Sequence, residues 1–283
     1  MGLEQPLFFD CGGDALLGVL HHPGSGSLDV GLLLVVGGPQ YRVGSHRQFV
    51  LLARALAASG IPVFRFDYRG MGDSAGDPRD FEGIADDIRA ALDCFNEHHP
   101  GLRGVVLWGL CDAATANAFY ATSDSRVLGQ IALNPWVRTS SGEAQAFIRH
   151  YYLQRLIDRA FWHKVFSGKW PMVQAMRDFF SKLGHSRQSP AKAHGKTPAP
   201  LPERMFAAQE AAGGPTLVIL SGQDLTAREY EDRVSESPAW SAWMASPKVT
   251  LRRLDAADHT FSRAVWRDQV AEWSRDWMLA RFG

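Results

Sequence analysis

The chain is poor in cysteine, its formal charges cancel, and it lacks a long apolar run. Three cysteines in 283 residues, Cys11, Cys94 and Cys111, form an odd and scattered set. That excludes a disulfide framework and a CxxC metal site. No apolar stretch reaches the ~18 residues of a membrane span. The N-terminus has no basic segment followed by an apolar one, so no secretory leader is expected. Thirty basic and thirty acidic side chains give a formal net charge of zero, which removes bulk attraction for nucleic acid. No internal repeat is present. No His, Cys and carboxylate cluster has ligand spacing, so neither a metal nor another cofactor is implied. The expected setting is reducing and cytoplasmic, where a thiol stays free.

Hydrophobic residues make up 46% of the chain and charged residues 21%, which calls for a buried core. The length suits one large α/β domain with an insertion. Two short apolar segments, 6–10 and 15–21, flank Cys11-Gly12-Gly13-Asp14 and read as a hairpin. Apolar strands are expected at 31–36, 62–66, 104–108, 127–133, 216–220 and 248–254. Helical periodicity marks 48–59, 81–96, 113–121 and 264–280. Strands alternating with helices predict a mainly parallel sheet.

The alternation breaks between 137 and 213, so 1–136 and 214–283 read as the core and 137–213 as a cap. Within the cap, 145–166 and 171–180 look helical, and 181–202 reads as a mobile loop. From 137 to 204 there are twelve Lys and Arg against four Asp and Glu; the remainder holds 18 basic and 26 acidic residues. Such a segment is either a solvated face or the seat of an anionic partner.

The densest chemical signal lies in Leu107-Trp108-Gly109-Leu110-Cys111-Asp112-Ala113-Ala114. An apolar strand ends in glycine, a cysteine follows, and a helix of small residues begins. This is the pattern of a nucleophile elbow, the corner that raises one side chain above an α/β-hydrolase sheet. The strained turn leaves no room for large side chains two residues on either side of the nucleophile, which Gly109 and Ala113 respect. Cysteine replaces the usual serine, and a thiol ionises more readily than a hydroxyl. Cys11 and Cys94 read as small buried hydrophobes.

The remaining partners follow in chain order. Asp224 comes after the strand 216–220 and His259 after 248–254, each at a strand's C-terminal edge. His259 would carry the Cys111 proton, and Asp224 would fix the imidazole. Asp224 also stands where a helix N-cap would. Asp255 and Asp258 read as loop caps. Two N–H groups are expected to bind the oxyanion. One belongs to Asp112, and the other to the loop Gly37-Gly38-Pro39-Gln40, where Gln40 is preferred and Tyr41 is next. The Asp112 carboxylate would oppose a thiolate unless it points away. His46 either faces the pocket or starts a helix.

Several segments together resemble the exosortase A system-associated hydrolase 1 family. They are Gly37-Gly38-Pro39-Gln40-Tyr41-Arg42-Val43-Gly44-Ser45-His46-Arg47, Asp67-Tyr68-Arg69-Gly70-Met71-Gly72-Asp73-Ser74, Trp108-Gly109-Leu110-Cys111-Asp112-Ala113, Leu133-Asn134-Pro135-Trp136-Val137-Arg138, Ser221-Gly222-Gln223-Asp224 and Asp258-His259-Thr260-Phe261-Ser262. The resemblance implies an α/β-hydrolase that accompanies exopolysaccharide loci and a sorting system for exported proteins. Tyr41, His46, Trp136 and Arg138 are the expected substrate contacts. The expected activity is cleavage of an ester or thioester through an acyl-enzyme on Cys111. An acyltransferase with the same triad and a non-catalytic scaffold are the rivals. A small-molecule or carrier-bound acyl group is the expected partner, with an acyl carrier protein or a coenzyme A phosphate as candidate anions for the basic cap.

Overall fold

A computed structural model of the protein describes residues 3–24, 26–38, 40–138 and 199–283. The expectations for 139–198, which take in both cap helices and most of the loop, lie outside them.

Eight strands form one sheet: β1 Glu4–Cys11, β2 Asp14–His21, β3 Val30–Val35, β4 Val63–Phe66, β5 Gly104–Leu110, β6 Val127–Leu133, β7 Thr216–Ser221 and β8 Val249–Leu254. Their spatial order is β1-β2-β4-β3-β5-β6-β7-β8. The pairs from β4 through β8 are parallel, whereas β1 and β2 pair antiparallel and join through β2 to β4. The hairpin turns at Gly12 and Gly13, with φ of 65° and 93°. Two successive positive φ values suit the right-handed twist of the flanking strands, and only glycine adopts them freely.

The described helices are α1 Gln48–Ala58, α2 Ala85–His98, α3 Asp112–Ala121, α4 Leu201–Ala212, α5 Leu225–Glu236, α6 Pro238–Met244 and α7 Ala264–Phe282. Strand β3 shows why both faces need cover. Leu32 and Leu34 join α1 and α7 through Phe49, Leu56, Trp277 and Met278. Leu33 and Val35 face the other way, toward Ile88, Leu92 and Phe95 of α2 and Ala113 and Ala116 of α3. Period-2 alternation therefore splits one apolar run between two cores. Each fully buried leucine contributes about 2 kcal/mol of transfer free energy. A third cluster packs Val218 and Leu220 against Met205 of α4, Tyr230 of α5 and Trp240 of α6.

Three expectations change. The segment 81–96 does not form one helix: a 3₁₀ turn at Phe81–Gly83 is capped by Asp80, and α2 starts only at Ala85. Glycine at the junction favours that break. Helix α4, read as part of the cap, belongs to the same compact unit as the sheet, which comprises Met1–Thr139 and Leu201–Gly283. Its Met205 is fully buried beside α3, and Thr115 Oγ1 lies 3.4 Å from the Met205 sulfur. Helix α6 was not expected at all. Its seven residues are too few to show a period, but Ser237 caps it and Pro238 opens it.

Candidate active site

Strand β5 ends at Leu110, and α3 starts at Asp112, so the whole turn falls on Cys111. Its backbone has φ 63° and ψ −125°, a conformation that costs a non-glycine residue about 1–3 kcal/mol. The neighbouring strand holds it there. Cys111 N–H donates to Leu133 O at 2.8 Å, and Cys111 O accepts from Trp136 N–H at 3.2 Å and Ala114 N–H at 3.1 Å. Gly109 is required. A Cβ there would stand 2.7 Å from the Ala113 carbonyl carbon and 2.8 Å from Ala114 N. The expected elbow is present, with its sulfur-bearing side chain half-buried rather than sealed in the core.

The structure brings Cys111, His259 and Asp224 together from three strand ends. His259 hydrogen-bonds to the Cys111 side chain. Its Nδ1 lies 2.9 Å from Asp224 Oδ2. Burial disfavours a charged ring at this position. The hydrogen bonds to Asp224 and Cys111, with the charges of both, outweigh it and push the His259 pKa up to about 10. Asp224 stands where both readings of its sequence position need it. Besides meeting His259, it caps α5, with Oδ1 3.2 Å from Thr226 N and Oδ2 3.1 Å from Ala227 N. The cap aims the carboxylate, and α5 packing fixes the cap.

The loop that carries His259 is tied down on several sides. Gln223 N–H donates to Ala257 O at 2.9 Å. Asp258 accepts from Ser262 N–H at 2.9 Å and also from the Ser262 hydroxyl. These bonds hold the Asp258 pKa below its usual value although burial pushes it up. Asp255 pairs with Arg253 at 2.6 Å. Both aspartates are loop anchors, as their closeness to His259 in sequence suggested.

One residue without an assigned role proves central. Asn134, fully buried with φ 42°, donates from Nδ2 to Ser221 Oγ at 2.7 Å and to His259 O at 3.0 Å. Its Oδ1 accepts from Ser221 N–H at 2.9 Å. One amide thus clamps the end of β7 to the backbone of His259. The available signal was an asparagine directly after a strand and before proline, since asparagine tolerates positive φ better than most residues.

The oxyanion donors differ from expectation. Gln40 N–H closes a tight turn onto Gly38 O at 2.8 Å, and Gln40 Oε1 receives Ser45 N–H at 3.4 Å. Gln40 is therefore not the donor. Gly38, with φ 58°, points its N–H at the start of α3 instead. Glycine can turn its amide this way, whereas excluding Pro39 for its missing N–H points to Gln40, the residue after it, and not to Gly38, the residue before it. The Asp112 carboxylate is held between the loop that carries Gly38 and the start of α3: its Oδ2 accepts from Gly38 N–H and its Oδ1 from Ala113 N–H, each at 3.0 Å.

Arg42 holds the donor loop. Its N–H donates to Asp67 Oδ1, and its guanidinium pairs with Asp67 and, at 2.6 Å, with Asp73. Asp67 is fully buried, and a Cβ on Gly72 would clash with its carboxylate at 2.2 Å. Arg69 pairs with buried Asp87 through two hydrogen bonds of 3.0 and 2.9 Å. The Asp67–Ser74 loop is thus a brace for the site rather than a reacting part.

Of the expected substrate contacts, Trp136 adjoins this centre through its backbone N–H, which donates to Cys111 O at 3.2 Å. Tyr41 is exposed. His46 is exposed with φ 53°, in a 3₁₀ turn that leads into α1. The Arg138 guanidinium lies 4.7 Å from the Trp136 ring centroid and pairs with Glu229 at 3.0 Å.

Comparison with solved structures gives the same architecture. An esterase of Pyrococcus furiosus aligns with a TM-score of 0.65 and 15% identity, covering 100% of this chain and 94% of its own. A dienelactone hydrolase from Anabaena variabilis gives 0.62 and 15%, covering 100% and 99%. The esterase domain of a Rhodothermus marinus protein gives 0.62 and 16%, covering 99% and 100%. At such identities the likeness is one of fold. No curated protein matches the sequence. The model of the alpha/beta hydrolase family matches residues 19–273. With that match spanning sheet, elbow and histidine loop, the chain belongs to the alpha/beta hydrolase family.

Proposed function

We propose that the protein cleaves an ester or thioester through an acyl-enzyme on Cys111. His259 carries the proton, and Asp224 orients His259. The observation that carries this reading is the hydrogen-bonded line from Asp224 through His259 to a sulfur held at a strained corner. With Nδ1 committed to Asp224, Nε2 serves the sulfur.

Sγ attacks the acyl carbon, and the carbonyl electron pair moves onto oxygen. Collapse of that tetrahedral adduct expels the alcohol or thiol, which takes the proton from the His259 imidazolium. Water then attacks the enzyme thioester while His259 takes its proton. The second adduct expels Cys111 and releases the acid. A His259 pKa of about 10 favours the imidazolium that the first step needs. Activated donors suit a sulfur nucleophile, because exchanging one thioester for another has little thermodynamic barrier. The motif resemblance extends the reading to acyl chemistry in exopolysaccharide export, in a reducing compartment that leaves Cys111 free. The surplus of basic residues between 137 and 204 favours an acyl donor carried on an anion.

The test follows p-nitrophenyl and acyl-thioester turnover together with iodoacetamide labelling of Cys111. Cys111→Ala should abolish turnover and labelling at that position. His259→Ala should slow both at neutral pH. Full turnover by Cys111→Ala would end the proposal.

A further inference from the structure

An oxyanion hole is a set of N–H groups converging on one point, and it stabilises whichever negatively charged oxygen stands there. Here backbone N–H groups from the loop after β3 and from the start of α3 both bond one carboxylate of the protein itself. Asp112 Oδ2 is 3.0 Å from Gly38 N, and Asp112 Oδ1 is 3.0 Å from Ala113 N. The backbone N–H of Asp112 also bonds its own carboxylate. Gly37 leaves the space open, since a Cβ there would lie 2.3 Å from Asp112 Oδ1. Gly38 lies on the loop after β3, and Asp112 directly follows Cys111, the proposed nucleophile.

We propose that the Asp112 carboxylate occupies the oxyanion hole of the free enzyme, and that the substrate's acyl oxygen must displace it for Cys111 to complete its attack. The proposal rests on the reading of Cys111 as nucleophile. The exchange is nearly balanced in charge, because one anionic oxygen replaces another on the same donors. Burial raises the Asp112 pKa despite the N–H bonds it receives, so the carboxylate sits in the nest at a desolvation cost and can be displaced. The tethered carboxylate raises the barrier for weakly polarised carbonyls most. Asp112 thereby selects for activated acyl donors.

Alkylation of sulfur forms no oxyanion, whereas acylation does. The experiment compares, for wild type, Asp112→Ala and Asp112→Asn, the iodoacetamide rate at Cys111 with the pre-steady-state burst from p-nitrophenyl acetate. The alkylation rate reports any change in the sulfur itself, so the ratio of acylation to alkylation isolates the hole. That ratio should rise about tenfold or more in Asp112→Ala, the scale of one hydrogen bond to a charged group. It should rise less in Asp112→Asn, which keeps a neutral acceptor of the same shape and maintains the fold if the alanine variant does not. An unchanged or lower ratio in the folded variants, with Cys111 labelled and the burst dependent on it, overturns this proposal alone. A burst that survives Cys111→Ala overturns the nucleophile reading as well.

Discussion

Two strand-to-helix corners meet at the site, and they solve the same turn in opposite ways. Between β5 and α3, Cys111 takes φ 63° and gives its helix no side-chain cap. Between β7 and α5, Asp224 takes φ −122° and ψ 131° and caps its helix with both carboxylate oxygens. The first corner is strained because it must lift a side chain clear of the sheet. The second is relaxed because its side chain is aimed by the helix it caps. The strain of the first is held by β6 and Gly109, whereas the second needs little beyond its own residues. Cys111, the proposed nucleophile, is therefore presented by tertiary packing, and Asp224, the proposed orienting acid, largely by local capping.

The largest expected effect separates the two duties of the relaxed corner. Asp224→Asn keeps a good N-cap but presents the wrong partner to His259 Nδ1. Ester turnover should fall on the order of a thousandfold or more, with stability within about 1 kcal/mol of wild type. Steady-state kinetics beside urea unfolding decide it, and a loss under tenfold removes Asp224 from its orienting role. Next comes the cost of crowding the strained corner. Gly109→Ala pushes a methyl against the backbone of Ala113 and Ala114, at about 3 kcal/mol, against about 1 kcal/mol for Asp224→Ala, which loses a cap. Equal shifts in the urea midpoint would dissolve the contrast between the corners.

The smallest effect tests the link between them. The His259 pKa rises from 6.5 unfolded to about 10 folded, so the folded state binds the proton more tightly. Its stabilisation is complete below pH 6.5 and is lost as pH rises through about 10. The wild-type advantage over His259→Asn in urea unfolding should shrink between pH 6 and pH 10.5. Solvent screening of a side chain about one-third exposed keeps that change modest. An advantage independent of pH would show that the imidazolium is not held by Asp224 and Cys111.

Much of this was legible beforehand, because it depends on neighbours in sequence. Trp108-Gly109-Leu110-Cys111-Asp112-Ala113 announces its corner through residue size alone. The continuous apolar runs announce a sheet covered on both faces, and Asp224 and His259 announce themselves by following strands in the right order. The roles of Gly38 and Asn134 were not legible. The Gly38 N–H meets the Asp112 carboxylate while a turn takes up the amide of Gln40, and Asn134 acts only because β6, β7 and the His259 loop end side by side. Helix α4 lies in a stretch that breaks the strand-helix rhythm, and only packing beside α3 shows that it belongs with the core.

The sequence by itself determined the strands, the elbow and the three side chains proposed to react, since backbone conformation and burial follow from local volume and polarity. The tertiary structure alone decided that the Gly38 N–H meets the Asp112 carboxylate and which amide steadies His259. Hydrogen bonds are directional and short in range, so a partner far along the chain is chosen only when the fold brings it within about 3 Å.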